Sequence, residues 1–176
     1  QSPALAPGYT QNASLSSENA AVSTAPADGG ATEHNVEVSV TSADGKTTEY
    51  NTDLLSAIYT ADDGDVIKLL KDVTIDVDSA LKSVKTDGKF TLDLAGYSIT
   101  SDQDETVVEI LSGGDVTVKD SAEDNGTVTT KGYFATVAGG GKLTVEDGDF
   151  VNNNTALESG VFSVFHVYEL SATPAP

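Results

Sequence analysis

Four groups of acidic side chains are the first candidates for chemistry: Asp62-Asp63-Asp65, Asp102-Asp104-Glu105, Asp120-Glu123-Asp124 and Glu146-Asp147-Asp149. Closely spaced carboxylates suit two tasks. They hold hard cations such as Ca²⁺ through oxygen ligands, or they act as an acid and a base across a glycosidic bond. The spacing meets neither task in full. Asp120, Asp124 and Gly126 put the glycine one place too late for an EF-hand loop. The G-G-x-G-x-D repeat of calcium-binding β-rolls is missing as well. A structural use accounts for all four groups, because charged turns keep a repetitive sheet soluble and its edges unpaired.

Basic and nucleophilic partners are sparse. The chain holds nine lysines, no arginine, no cysteine and two histidines, His34 and His166. Without arginine there is no bidentate clamp for phosphate or carboxylate. Without cysteine there are no disulfides, thiolate metal sites, iron–sulfur ligands or thiol nucleophile. His166 falls in the apolar run Val161–Leu170 and reads as a structural histidine. Gly139-Gly140-Gly141-Lys142 looks like part of a phosphate loop, yet Leu143 stands where Ser or Thr is needed, so it reads as a turn. Asn12-Ala13-Ser14, Asn125-Gly126-Thr127 and Asn153-Asn154-Thr155 match the glycosylation sequon. On this reading no catalytic, cofactor-binding or metal-ligating residue is assigned, and no cofactor is expected.

Twenty-eight acidic residues against nine lysines leave a formal charge of −19 over 176 residues. Such a charge disfavours nucleic acid and anionic membrane surfaces, whose phosphates need a cationic stripe. No apolar run approaches the roughly 18–20 residues that cross a bilayer. The start at Gln1, without a basic or apolar leader, is what either an arbitrary boundary or removal of a signal peptide would produce. The second fits a body rich in Thr, Asn, Gly and Asp, and leads us to expect an extracellular or bacterial cell-surface location.

The elements that position these residues divide the chain in three. Residues 1–34 are low in complexity, with only Leu5, Tyr9, Leu15 and Val22 as larger apolar groups, too few to offset the entropy of ordering. They read as an extension that a neighbouring subunit could hold as an arm. Residues 35–170 form the body, and 171–176 a short tail. Val36, Val38 and Val40 alternate with polar residues ahead of the turn Ala43-Asp44-Gly45-Lys46, which predicts a β-hairpin over 36–50. Asn51 or Thr52 is placed to cap a short helix over 53–61, with Leu54, Leu55 and Ile58 on one face.

Strands follow. Ile67, Leu69, Val73, Ile75 and Val77 keep one phase, and Phe90, Leu92 and Leu94 alternate with Thr91 and Asp93. One phrase recurs at Lys89-Phe90-Thr91-Leu92-Asp93, Asp115-Val116-Thr117-Val118-Lys119-Asp120 and Lys142-Leu143-Thr144-Val145-Glu146-Asp147. From Phe90 to Val116 is 26 positions, and from Val116 to Leu143 is 27. A fixed period of this size fits one coil per repeat, each stacking on the next. A sandwich of hairpins is the competing architecture. The recurring phrase favours an all-β solenoid over 62–170, with Phe90, Val116 and Leu143 in one interior column.

Leu54-Leu55-Ser56-Ala57-Ile58 followed by Asp63-Gly64-Asp65-Val66-Ile67-Lys68-Leu69-Leu70-Lys71-Asp72-Val73 resembles the opening of pectate-lyase-like right-handed parallel β-helices of bacterial surface and secreted proteins. Leu92-Asp93-Leu94-Ala95-Gly96-Tyr97 and Val116-Thr117-Val118-Lys119-Asp120-Ser121, with Asn125-Gly126, are similar to its rungs. The resemblance covers about residues 47–151. It implies a short right-handed parallel β-helix with a small N-terminal hairpin and a capping helix. Polysaccharide lyases of related families use clustered carboxylates with an Arg or Lys base, and hydrolases of the same fold use aspartates with a His and a basic residue. No matching set is visible here, and we expect no enzyme.

The remaining signal concerns assembly. Val161–Leu170 is apolar on both faces, with Phe162, Val164, Tyr168 and Leu170 on one and Val161, Phe165 and Val167 on the other. Such a strand calls for burial on both sides. The expectation is an extracellular structural subunit that forms a homo-oligomer or filament by strand addition through 1–34 or 161–170. The alternative is a β-helical adhesin or carbohydrate-binding module of a larger surface protein, with cell-surface glycans or other surface proteins as partners. A polysaccharide lyase or hydrolase is the third reading.

Overall fold

The computed structural model describes residues 36–155 and 163–168. The extension 1–34, the tail 171–176, and Val161, Phe162, Glu169 and Leu170 of the apolar run lie outside them. Alternating valines form β1 (Val38–Thr41), which pairs antiparallel with β2 (Thr48–Asn51) as the expected hairpin. Helix α1 (Leu54–Thr60) follows. Its cap is Asp53, not Asn51 or Thr52: the Asp53 carboxylate accepts the Ser56 N–H at 2.7 Å. Asn51 acts one step earlier, its Oδ1 accepting the Asp53 N–H at 2.9 Å. The carboxylate on the right side of the first turn takes the cap.

Four turns of a β-solenoid come next. They are β3 (Val66–Leu69), β4 (Val73–Ile75) and β5 (Val84–Thr86); β6 (Lys89–Asp93), β7 (Ile99–Ser101) and β8 (Val108–Ile110); β9 (Asp115–Lys119), β10 (Thr127–Thr130) and β11 (Ala135–Val137); and β12 (Lys142–Val145), β13 (Asp149–Asn152) and β14 (Phe165–Val167). The first strand of each turn stacks in parallel as β3-β6-β9-β12, the second as β4-β7-β10-β13, the third as β5-β8-β11-β14. Three parallel sheets thus form the walls. The first sheet continues past β3 into the antiparallel β1 and β2.

The register explains the repeated phrase. Phe90 lies beside Val116, and Val116 beside Leu143, so the predicted interior column exists. Apolar residues alternate inward along short strands, as a parallel sheet with a shared core requires. Among the 66–77 residues, Ile67, Leu69, Val73 and Ile75 are buried, whereas Val77 is 72% exposed. Val77 follows β4, where the chain has left the strand and the period of two no longer applies. Leu54, Leu55, Ala57 and Ile58 of α1 join the same core, and α1 lies against β5. A void edged by Ile58, Phe90 and Val116 is about 10 Å³. That is room for about one water, so the core is closely packed at this level of the stack.

The apolar run 161–170 is not one long strand. Its described part holds only the three residues of β14 in a ladder, beside β11.

Candidate functional site

The four acidic groups do not converge. Among the described residues, no three His, Asp or Glu side chains are grouped to hold a metal ion. Instead, carboxylates near the corner between the first and second sheets accept hydrogen bonds from their own and the adjacent turn. Asp72 accepts the Ser98 N–H at 2.9 Å, and the buried Asp93 accepts those of Ala95 and Ser121, each at 3.0 Å. Asp120 accepts Gly96 at 2.8 Å and Gly126 at 2.6 Å. Asp147 accepts the Asn125 side-chain amide at 3.1 Å. Ionised acceptors on backbone N–H groups make strong bonds, so acids at this corner tie turn to turn. Sequence reading took Asp120 and Asp147 as solvated turn residues and missed the role of Asp72 and Asp93. The available signal was position: Asp93, Asp120 and Asp147 each close the recurring phrase.

Two acids sit in a different setting. Asp65 lines a cleft of about 140 Å³ with Glu49 and Asp62 between the hairpin and the first turn. Burial pushes its carboxyl above the ordinary range, the Asp62 N–H draws it down, and the negative charges of Asp62 and Glu49 push it up again. Burial likewise raises Glu37, against the Leu54 N–H that its Oε2 accepts at 2.8 Å. Asp102, Asp104 and Glu105 form no converging set; Asp104 pairs with Lys131 at 3.5 Å. His34 lies outside the described residues. His166 is exposed on β14 and stacks with Tyr133 and Tyr168, ring centroids 5.3 and 6.2 Å away. Gly139-Gly140-Gly141 forms a turn in which the Gly141 N–H reaches the Ala138 carbonyl at 2.9 Å.

The feature without an internal structural use is the C-terminal end of the solenoid. In one interior column, Ile67, Leu92, Val118 and Val145 lie side by side, and exposure jumps from 1% at Val118 to 41% at Val145. In another, it rises from 5% at Val137 to 72% at Val167. Leu143, Phe150 and Phe165 are only partly buried, with the two phenylalanine rings 5.0 Å apart. Among the described residues, β12, β13 and β14 each pair with one neighbour and end their sheets. The other end is closed over the first sheet by β1 and β2, and over the core by α1. Among the described residues, one end is capped and the other presents backbone without a neighbouring strand beside apolar side chains. Chemically, this surface can accept a strand.

The fold therefore places the chain among β-solenoids of parallel strands. Comparison with family models, with curated proteins and with solved structures finds no match to it.

Proposed function

We propose that the protein is a non-enzymatic extracellular structural subunit of the pectate-lyase-like parallel β-helix type, joined to further copies by strand addition at the C-terminal end of its solenoid. The observation that carries this reading is the asymmetry of the two ends: α1 and the hairpin close one, while Val145 and Val167 remain exposed at the other. The edge left without a neighbouring strand among the described residues, beside half-buried Leu143, Phe150 and Phe165, offers both the ladder and the pockets that strand addition uses. A contact that joins unlike ends gives a ring where its rotation closes and a filament where it does not, and the form we propose is a filament at the bacterial surface. The run 161–170, expected as a possible donor, already supplies β14 to its own last turn, which leaves the N-terminal extension for that part.

Light scattering across a concentration series, with negative-stain microscopy, tests the reading. Mass should grow with concentration and filaments should appear. Val145→Lys and Val167→Lys, at sites already exposed, should suppress growth while leaving the melting temperature within a few degrees. A protein that stays monomeric at high concentration overturns assembly. The same uncovered turn also suits an adhesin module whose solenoid continues into a longer chain, and the intact mass of the native protein separates the two.

A further inference from the structure

We infer that residues 8–25 contain the strand that adds to β12, extending the first sheet beyond the last turn. The inference rests on the assembly reading above, in which that strand comes from the next copy. Three observations select the pair.

The first is charge. The last turn sets Lys142 against Glu146, Asp147 and Asp149, so an occupant of this end must carry little negative charge. Residues 36–65 carry seven carboxylates against Lys46 and would be repelled. Residues 8–25 hold a single charged side chain, Glu18.

The second is backbone chemistry. A strand in a ladder needs its N–H groups. Prolines stand at 3, 7 and 26, so 8–25 is the longest proline-free stretch of the extension, and 27–34 carries Asp28 and Glu33, whereas the tail has Pro174 and Pro176.

The third is fit to the interior columns. On β12, Leu143 and Val145 face inward two positions apart and end the columns Phe90–Val116–Leu143 and Ile67–Leu92–Val118–Val145. The next strand must offer two apolar side chains at the same spacing. Ala13 with Leu15, and Ala20 with Val22, do so. Strand β13 is the poorer acceptor, since Asp149 stands at its start.

Cysteine is absent from the chain, so an introduced pair is a unique reporter. Ser14, between Ala13 and Leu15, would share the outward face with Thr144. Full-length Ser14→Cys is mixed with full-length, ¹⁵N-labelled Thr144→Cys and treated with a short thiol–thiol cross-linker; the double variant is treated alone. Linked peptides are identified by mass. We expect a 14–144 link between labelled and unlabelled copies. Its yield should fall at least tenfold when Ala13→Asp is added to the Ser14→Cys chain, while Gln1→Cys in place of Ser14→Cys should link weakly. A 14–144 link formed only within single copies of the double variant upholds the segment and its acceptor and overturns the assembly reading. Filaments that form with neither link overturn the segment and leave assembly standing.

Discussion

Ala95 adopts φ 51° and is followed by Gly96 at φ 80°, in a two-residue turn closed by the Tyr97 N–H on the Leu94 carbonyl at 2.9 Å. A Cβ in this left-handed region costs about 1 kcal/mol, so Ala95→Gly should stabilise by up to about 1 kcal/mol, less the added entropy of the unfolded chain. Urea denaturation reads the difference directly. Gly126 is the reverse case. A Cβ there would run into the Tyr97 carbonyl of the adjacent turn, and Gly126→Ala should be among the most damaging small substitutions. Glu37 sets a pH dependence. Burial raises its pKa in the folded protein more than the Leu54 N–H lowers it, with Asp53 adding to the rise and Lys71 opposing it. The folded state therefore binds this proton more tightly than the unfolded one. The stability this yields is full below the unfolded carboxyl value and is lost as pH rises through the folded value. Glu37→Gln keeps an acceptor for Leu54 without the buried charge. Its melting temperature should exceed that of the parent at neutral pH, and the gap should close as pH falls toward 4.

Between elements, the corner aspartates and the interior columns share the work. Asp120 holds backbone N–H groups from Gly96, Ala122 and Gly126. Asp120→Ala strands the Gly126 N–H, on a buried residue, and should cost about 2–3 kcal/mol. Asp147→Ala, at an exposed position with bonds to Gly148 and the Asn125 side chain, should cost less than about 1 kcal/mol. Val116 is 3% exposed between Phe90 and Leu143. Val116→Asp buries an unpaired carboxylate and should cost about 3–5 kcal/mol or prevent folding, seen as loss of the cooperative melt. The ring stack of Tyr133, His166 and Tyr168 bridges the residues around β11 and β14, and it adds side-chain contact to the ladder that holds the last strand.

For the whole molecule, charge and ends pull in different directions. On the proposed assembly, a formal charge of −19 over the whole chain should keep neighbouring copies apart and favour contact where apolar groups outnumber acids. Filaments should accordingly stay single at low ionic strength. Near 1 M salt, where screening shortens to about 3 Å, they should bundle sideways with little loss of end contacts. Turbidity and microscopy across a salt series report both effects. Filaments that fall apart as salt rises would show that the end contact is itself electrostatic.

What the sequence determined by itself is the part of the fold written in local periods. Alternation marked Phe90, Leu92, Val116 and Val118 as inward residues, and the 26- and 27-position recurrence placed Phe90, Val116 and Leu143 in one column, because each turn repeats the same inward positions. The hairpin and the short helix were legible for the same reason, through alternation, a turn signal and one apolar face. Which polar groups meet between turns was not legible. Asp93 meets Ser121, 28 positions away, and Asp120 meets Gly96, 24 positions away, and no local pattern assigns those pairings. The cap moved from Asn51 or Thr52 to Asp53 because one residue decides which carboxylate or amide faces the free N–H groups of the first turn. Val145 and Val118 read alike in the chain, one phrase apart. Only stacking separates them, since Val118 lies between two turns and Val145 has a turn on one side alone among the described residues.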